Sequence, residues 1–310
     1  MHALVTGAAG FIGSSLCRRL VGDGHDVVGL DDLSEGSMDN LADVPEMTFV
    51  KADLRDGAAV TEAASGREVI FHQAAKRSVP RSLLEPVLTT EVNVGGTLNV
   101  FEAARATGAR VVYASSSSVY GDQDTFPLLE SMYPRPKSPY AASKLADEAL
   151  GGAYWSSVGV PTVGLRYFNV YGPRQDPAGE YAAVVPRFIT SCFQGRRPLI
   201  YGDGEQSRDF AFIEDVVQAN LLTAEAPREA YGRAFNVGGG GVPTSVNELL
   251  AIVAEYTGAS PDPIFEPERD GDVRTTQADL STVHRVLGHV PSVDIRTGLR
   301  RTVEWFRESA

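Results

Sequence analysis

The stretch His2-Ala-Leu-Val-Thr-Gly-Ala-Ala-Gly-Phe-Ile-Gly-Ser-Ser-Leu16 constrains the fold more tightly than any other part of the chain. An apolar run, Ala3 to Val5, stops at Gly7. Glycines recur at Gly10 and Gly13, and an amphipathic stretch runs from Ile12 to Leu20. The pattern reads as a buried strand, a tight turn and the start of a helix. Gly7 permits the turn, and Gly10 lets the backbone around Phe11 and Ile12 approach a pyrophosphate. Gly13 lets helix and strand pack closely. Glycines so spaced also occur in turns that merely join a strand to a helix, so the motif needs support from elsewhere.

That support comes at the end of the next apolar run, Val27-Val28-Gly29-Leu30, which closes on Asp31-Asp32. An acid at this distance meets the adenosine ribose of a bound dinucleotide, accepting hydrogen bonds from its hydroxyls and repelling a 2′-phosphate. No arginine or lysine follows until Lys51, which favours NAD over NADP. The plainer alternative is that Asp31 only caps a loop.

From here the chain alternates. Strands are expected at Met47–Val50, Val69–His72, Val111–Ala114 and Pro161–Leu165, with helices at Leu54–Ser65, Thr90–Thr107 and Ala141–Val158. Such alternation implies a parallel sheet covered on both faces, with ligands beyond the carboxyl ends of its strands. After Asn169 the order changes to a turn-rich Gly172–Pro177 and helices near Val184–Gln194 and Glu214–Ala224. One more main-sheet strand, Phe235–Val237, precedes a glycine run, Gly238–Gly241, that reads as a loop. Ser245 and Glu248 are spaced as a capping box for a helix to Tyr256, and helical segments near Leu280–Leu287 and Ile295–Glu308 follow. The expected fold is α/β: a Rossmann-type doubly wound parallel sheet with a smaller C-terminal α/β substrate lobe. The expected boundary lies at 168/169, with residues 1–168 binding the cofactor and 169–310 mainly the substrate.

Composition narrows the partners. With 43% hydrophobic and 22% charged residues the chain is of ordinary globular make-up, and its net charge of −12 speaks against a nucleic-acid surface. Cys17 and Cys192 form no framework of disulfides, no histidine cluster suggests a metal, and no apolar stretch is long enough to span a bilayer. The N-terminus enters the first strand at once, so a cytoplasmic protein without a signal peptide is expected.

The catalytic signal is Tyr140-Ala-Ala-Ser-Lys144, behind a helix-starting Ser138-Pro139. The i to i+4 spacing puts Tyr140 and Lys144 on one helical face. A phenol ordinarily titrates near pH 10, too high for a base at neutral pH; an ammonium one turn away and the positive nicotinamide of NAD⁺ favour the phenolate. Lys144 is also placed to hydrogen-bond the nicotinamide ribose. Upstream, Ala114-Ser-Ser-Ser-Ser-Val-Tyr-Gly121 ends a strand and sets hydroxyls, Ser116 among them, over the cofactor; simple turn formation by serines is the alternative.

Taken together these residues resemble the extended short-chain dehydrogenase/reductases, and within them the nucleotide-sugar 4-epimerases. The resemblance rests on the glycine turn, Asp53-Leu54, His72-Gln-Ala-Ala75, Asn93, Ser116, Tyr140/Lys144, Arg166–Pro173, Arg208-Asp209 and Arg269-Asp-Gly-Asp272, and it spans nearly the whole chain. It implies that Tyr140 takes the proton of the sugar 4-hydroxyl while a hydride leaves C4 for NAD⁺, and that the 4-keto sugar is reduced on its other face. It implies Asp53 and Leu54 at the adenine, Ala74 and Ala75 along the cofactor, Asn93 in support, and Ser116 at O4. Tyr167 and Phe168 would lie beside the nicotinamide. Ser117 joins the substrate side, and Asn169, Val184, Leu199, Tyr201, Arg208, Arg269 and Asp272 would line a nucleotide-diphosphate pocket. A homodimer is implied, through the helices Thr90–Thr107 and Ala141–Val158.

Within that family, dehydratases carry an Asp-Glu pair just after the catalytic hydroxyl, where this chain has Ser117-Ser118, so dehydration is disfavoured. Thr276 stands where stricter hexose enzymes have a tyrosine, leaving room for an N-acetyl group. The expected substrates are therefore UDP-glucose and UDP-galactose, together with UDP-GlcNAc and UDP-GalNAc. Lys76-Arg77 keeps a uronate 4-epimerase or decarboxylase open, with Arg77 meeting the sugar carboxylate. A Rossmann protein that binds NAD without turnover is the reading from a different class.

Overall fold

The computed structural model describes residues 1–177, 182–268 and 273–309. Strands β1 (His2–Thr6), β2 (Asp26–Asp31), β3 (Thr48–Lys51), β4 (Val69–His72), β5 (Arg110–Ser116) and β6 (Thr162–Tyr167) are rich in branched apolar residues, as strands covered on both faces must be. Short strands β7 (Asn169–Tyr171), β8 (Leu199–Tyr201), β9 (Ser207–Arg208) and β10 (Phe210–Phe212) precede β11 (Arg233–Val237). The main sheet is seven-stranded, in the order β11-β6-β5-β4-β1-β2-β3, and every pairing in it is parallel. The order reverses at β1, between β2 and β4, and a crevice opens there beyond the carboxyl ends of the strands.

The helices follow the expected pattern, with shifts at their ends. Helix α1 (Phe11–Gly22) starts directly after the glycine turn, and α2 (Gly57–Ala64) is shorter than its apolar pattern because Asp56 caps it, accepting from Ala58 N and Ala59 N. Two short helices not expected from the sequence, α3 (Val79–Leu84) and α4 (Pro86–Thr90), come first, and the expected helix Thr90–Thr107 is a π-helical turn (Glu91–Gly95) followed by α5 (Gly96–Thr107). Proline starts α3 and α4 where its missing N–H costs nothing, and the widened turn lets Asn93 point inward.

Helix α6 (Pro139–Val158) begins as Ser138-Pro139 predicts: Ser138 Oγ accepts from Ala141 N. After α7 (Val184–Phe193) and α8 (Ile213–Ala224), the chain returns through β11 to pair with β6. Helix α9 (Val246–Thr257) carries the expected Ser245/Glu248 capping box, and the Gly238–Gly241 run is a loop. One large apolar core unites α1, the sheet face above it, α7, α8 and α9; a second fills the opposite face between α2, α5 and the sheet.

Candidate active site

The glycine turn is held by contacts that no side chain could share. Gly7 has φ +68°, and a Cβ there would lie 2.7 Å from Ala74 N; one on Gly13 would lie 1.9 Å from Gly7 O. A Cβ on Gly10 would meet Gly7 O at 3.2 Å, so its contribution is open backbone at the start of α1 rather than tight packing. No side chain caps α1, and its first residues, Phe11, Ile12 and Gly13, line a cavity of about 660 Å³. A bare helix N-terminus under a glycine cradle is a seat for a pyrophosphate.

Asp31 and Asp32 line the same cavity. Asp31 is buried, and its carboxylate accepts from Ala9 N at 3.0 Å and Leu33 N at 2.8 Å. Burial pushes its pKa up, and the two backbone donors oppose that rise. Asp31 therefore shapes the turn as well as facing the cavity. Asp53 and Leu54 line the cavity too; Asp53 is clamped by Arg55, whose hydrogen bonds draw its pKa down.

Over this floor runs the loop after β2. Ser37 N and Asn40 Nδ2 both donate to Ala9 O, at 3.1 and 2.9 Å, and a Cβ on Gly36 would meet Ala9 C at 2.8 Å. Further along, Asp43 accepts from Arg18 of α1 and from Arg174, which belongs to the turn after β7. Glu35 lies within 4 Å of Lys76, Arg77 and Arg81, and Lys76 Nζ donates to Ser34 Oγ. These contacts place Arg77 in the cavity wall against the loop after β2. Ala74 and Ala75 line the cavity, whereas Asn93 does not reach it. Fully buried, Asn93 brackets the Lys76 backbone, accepting from its N–H and donating to its carbonyl, and also donates to Ser143 Oγ on α6. Its support for the cofactor side is indirect.

At the far end of the cavity lie Ser116, Tyr140, Lys144, Tyr167 and Phe168. Ser116 ends β5 and accepts from Ser118 N and Ser118 Oγ, so a serine standing where dehydratases carry an acid supports Ser116. Ser117 lines neither this cavity nor the next one described. Behind β5, Ser115 donates to Glu148, which forms a buried ion pair with Arg166 at 2.7 Å. Lys144 is almost wholly enclosed and donates to Asp147 at 3.1 Å. Below it His72 bonds Thr6 Oγ1 at 2.7 Å and Thr97 Oγ1 at 2.9 Å; burial, with Lys144's charge adding, pushes its pKa down to about 3, so it is neutral. The Tyr167 hydroxyl is fixed by Gln73 Oε1 at 3.1 Å and Asn220 Nδ2 at 2.8 Å, and burial drives its pKa far up. Tyr167 is a fixed wall, while Tyr140 opens on the cavity.

A second cavity, of about 270 Å³, adjoins the first through Val170 and Gln175, which line both. Asn169, Val184, Leu199, Tyr201 and Arg208 line it. Arg208 is buried, and its guanidinium donates to Ser207 O at 2.9 Å. Next to it Asp209 joins three segments: it accepts from Gly239 N and Ala278 N, and its own N–H donates to Thr276 Oγ1. Thr276 is thus buried with its hydroxyl turned to the backbone. Arg269 and Asp272 lie outside the described residues. No group of three or more metal-ligating side chains occurs among the described residues.

Sequence reading missed Gln73, Asn220, Arg174, Glu35 and Asp147 as site neighbours. Asn220 lies 147 residues from Gln73, and nothing in the local pattern announces their contact. Asp147 carried a usable signal: it stands three residues after Lys144, on the same face of a helix.

A bare helix start over a glycine cradle, an acid at ribose distance and a Tyr/Lys pair in one crevice define a dinucleotide-dependent enzyme of the short-chain dehydrogenase/reductase type. The chain belongs to the NAD dependent epimerase/dehydratase family, whose model matches residues 3–238. It is 45% identical to a UDP-glucose 4-epimerase of Mycolicibacterium smegmatis, the alignment covering 100% of both chains. Its fold superposes with TM-score 0.95 on a UDP-glucose 4-epimerase of Thermotoga maritima solved with UDP-glucose, at 37% identity over 100% of this chain and 99% of that one. A UDP-N-acetylglucosamine 4-epimerase of Methanobrevibacter ruminantium, solved with UDP-N-acetylmuramic acid, gives TM-score 0.94 at 38% identity, covering 100% and 99% of the two chains.

Proposed function

We propose that this protein is an NAD-dependent UDP-sugar 4-epimerase that inverts C4 through a transient 4-keto sugar, acting on UDP-glucose/UDP-galactose and on UDP-GlcNAc/UDP-GalNAc. The observation that carries this reading is the adjacency of two cavities. One joins the glycine cradle to Ser116, Tyr140 and Lys144, and the other, beside it, holds Arg208. Bound in the first, NAD supplies a reversible acceptor for the hydrogen at C4.

The chain's own residues do the rest. Ser116, held by Ser118, fixes O4 by a hydrogen bond. Tyr140 takes the hydroxyl proton as C4 is oxidised and returns it to the same oxygen after the keto sugar has turned over. Lys144 supplies the positive charge that favours the phenolate, and its place on α6 keeps that charge one turn from Tyr140. Arg208, with Arg269, holds the diphosphate while the sugar turns, and Asp272 belongs to the same nucleotide-sugar pocket. A fixed guanidinium is needed for this because the protein as a whole is strongly negative.

The names of the relatives support both a hexose and an N-acetylhexosamine substrate. The contacts of Lys76 and Arg77 with Ser34 and Glu35 support an uncharged sugar over a uronate, because these cations already face a carboxylate. The same reading takes residues 1–168 as the NAD-binding domain and 169–310 as mainly the nucleotide-sugar lobe, in a cytoplasmic homodimer. Incubation with UDP-glucose, UDP-GlcNAc and UDP-glucuronate, followed by separation of products, tests the function. Epimers of the first two are expected. Turnover of UDP-galactose with UDP-GalNAc unchanged would remove the N-acetyl substrates, and no epimer from any sugar would overturn the reading.

A further inference from the structure

We propose that Asp147 is a positioning residue for the catalytic pair: its carboxylate holds the Lys144 ammonium on the buried side of α6 and thereby sets the pH range in which Tyr140 works. The inference rests on the reading of Tyr140 and Lys144 as the proton-transferring pair.

The geometry is compact. Lys144 Nζ lies 3.1 Å from Asp147 Oδ2, three residues along one helix, and the two side chains are only 2% and 1% exposed. Enclosing a carboxylate is costly unless a counter-charge repays it, and an apolar residue of similar size would pack here at no such cost. The chain nevertheless places an acid at this point, against the lysine that must stay charged for Tyr140 to act. Without Asp147 the ammonium would be enclosed with no carboxylate against it.

Other groups around the pair leave that role to Asp147. From β4, His72 is neutral, its pKa lying at about 3 through burial and Lys144's charge. From β5, burial drives the pKa of Tyr113 far up, and the charges of Glu148 and Asp147 add to the rise. Thr97 of α5 is uncharged. On α6 itself Glu148 is committed to Arg166 of β6, and Tyr140 faces the cavity. Burial pushes the pKa of Asp147 up to about 6, against the pull of Lys144.

The sign follows. Above about pH 6, ionised Asp147 cancels part of the lysine's field at Tyr140. As pH falls through that value Asp147 takes a proton, and the ammonium acts unopposed. Replacing the acid by a neutral residue should therefore mimic the low-pH state at every pH.

The experiment compares kcat/KM against pH for the NAD-loaded enzyme and for Asp147→Asn, Asp147→Ser and Asp147→Glu. Both neutral variants should carry their acid limb about one pH unit below wild type, about tenfold in rate at fixed pH on that limb. The curves should converge below about pH 6, and Asp147→Glu should track wild type. Uniform scaling of the rate at all pH values, with the limbs in place, would mark Asp147 as merely structural and overturn the proposal.

An infrared titration of the same proteins needs no turnover. A protonated-carboxyl band should grow in wild type as pH falls through about 6 and be missing from Asp147→Asn or, should that fail to fold, from Asp147→Ser. Absence of the band from wild type also overturns the proposal. A wild type inert on every nucleotide sugar would instead refute the proposed function, with the infrared result still deciding whether Asp147 titrates as claimed.

Discussion

The two cavities are built in different ways. The cofactor side is backbone work. Gly7, Gly10 and Gly13 stand three residues apart; Gly7 and Gly13 have no Cβ where Ala74 N and Gly7 O come close, and Gly10 leaves the start of α1 open. The substrate side is assembled from side chains gathered across the sequence. Asp209, next to Arg208 in the chain, joins Gly239, Thr276 and Ala278 through hydrogen bonds spanning up to 69 residues. A local motif tolerates almost no substitution and reads clearly from sequence. A gathered site can be retuned one residue at a time, which suits the part of the enzyme that chooses the sugar.

The sharpest way to break the cofactor side is the smallest possible change. Gly13→Ala puts a methyl 1.9 Å from the carbonyl oxygen of Gly7, a backbone atom that cannot swing aside. We expect a loss of about 3 kcal/mol in stability together with loss of bound NAD, since α1 must shift off the turn that its N-terminus serves. Urea unfolding and the NAD content of the purified protein measure both. A variant that kept full NAD and wild-type stability would show the cradle to be looser than its geometry.

That contrast explains what the sequence made legible. All seven main-sheet strands, the glycine turn and the Ser245/Glu248 cap are written in local patterns of period and spacing, and they stand where those patterns put them. Helix Thr90–Thr107 misled at its start because the π-helical turn around Asn93 keeps a helical appearance in sequence while shifting which residues face inward. The contact of Arg77 with Glu35 could not be read locally, because Glu35 lies in the loop after β2. The Gln73–Tyr167–Asn220 cluster is set by packing of α8 under the sheet, and no window of sequence contains it.

His72 lies at the seam between the two modes, a side chain buried beneath the cofactor crevice. Its pKa falls from the ordinary 6.5 to about 3, so the folded state resists the proton that the unfolded chain accepts. Its contribution is whole above pH 6.5 and is lost as pH falls below that value, by about 2 kcal/mol between pH 6.5 and 5. Asp147, raised to about 6, titrates in the opposite sense and gives some of this back between pH 6 and 4. The term from Asp147 is common to wild type and His72→Asn and cancels in their difference. The variant should be less stable at pH 7, having lost bonds to Thr6 and Thr97, but should lose about 2 kcal/mol less on acidification to pH 5. Equal acid sensitivity of the two proteins, read from urea midpoints, would mean that His72 is protonated in the fold.

The smallest effect is expected where the gathered side can be retuned. Thr276 is buried, and its hydroxyl accepts from Asp209 N, one residue from the guanidinium that lines the substrate cavity. Thr276 lines neither cavity itself, but Thr276→Tyr adds a ring behind Asp209 and Arg208 and should press this wall inward against an N-acetyl group while leaving the hexose room. The relative kcat/KM for UDP-GalNAc against UDP-galactose should fall about tenfold, the scale on which pockets discriminate by size. Thr276→Val separates volume from hydrogen bonding, because it keeps the size and removes the acceptor. If volume governs, valine leaves the ratio unchanged and tyrosine alone shifts it. If both variants lower the rates on the two sugars equally, Thr276 acts by orienting Asp209 and Arg208, and the choice of sugar lies elsewhere in the pocket.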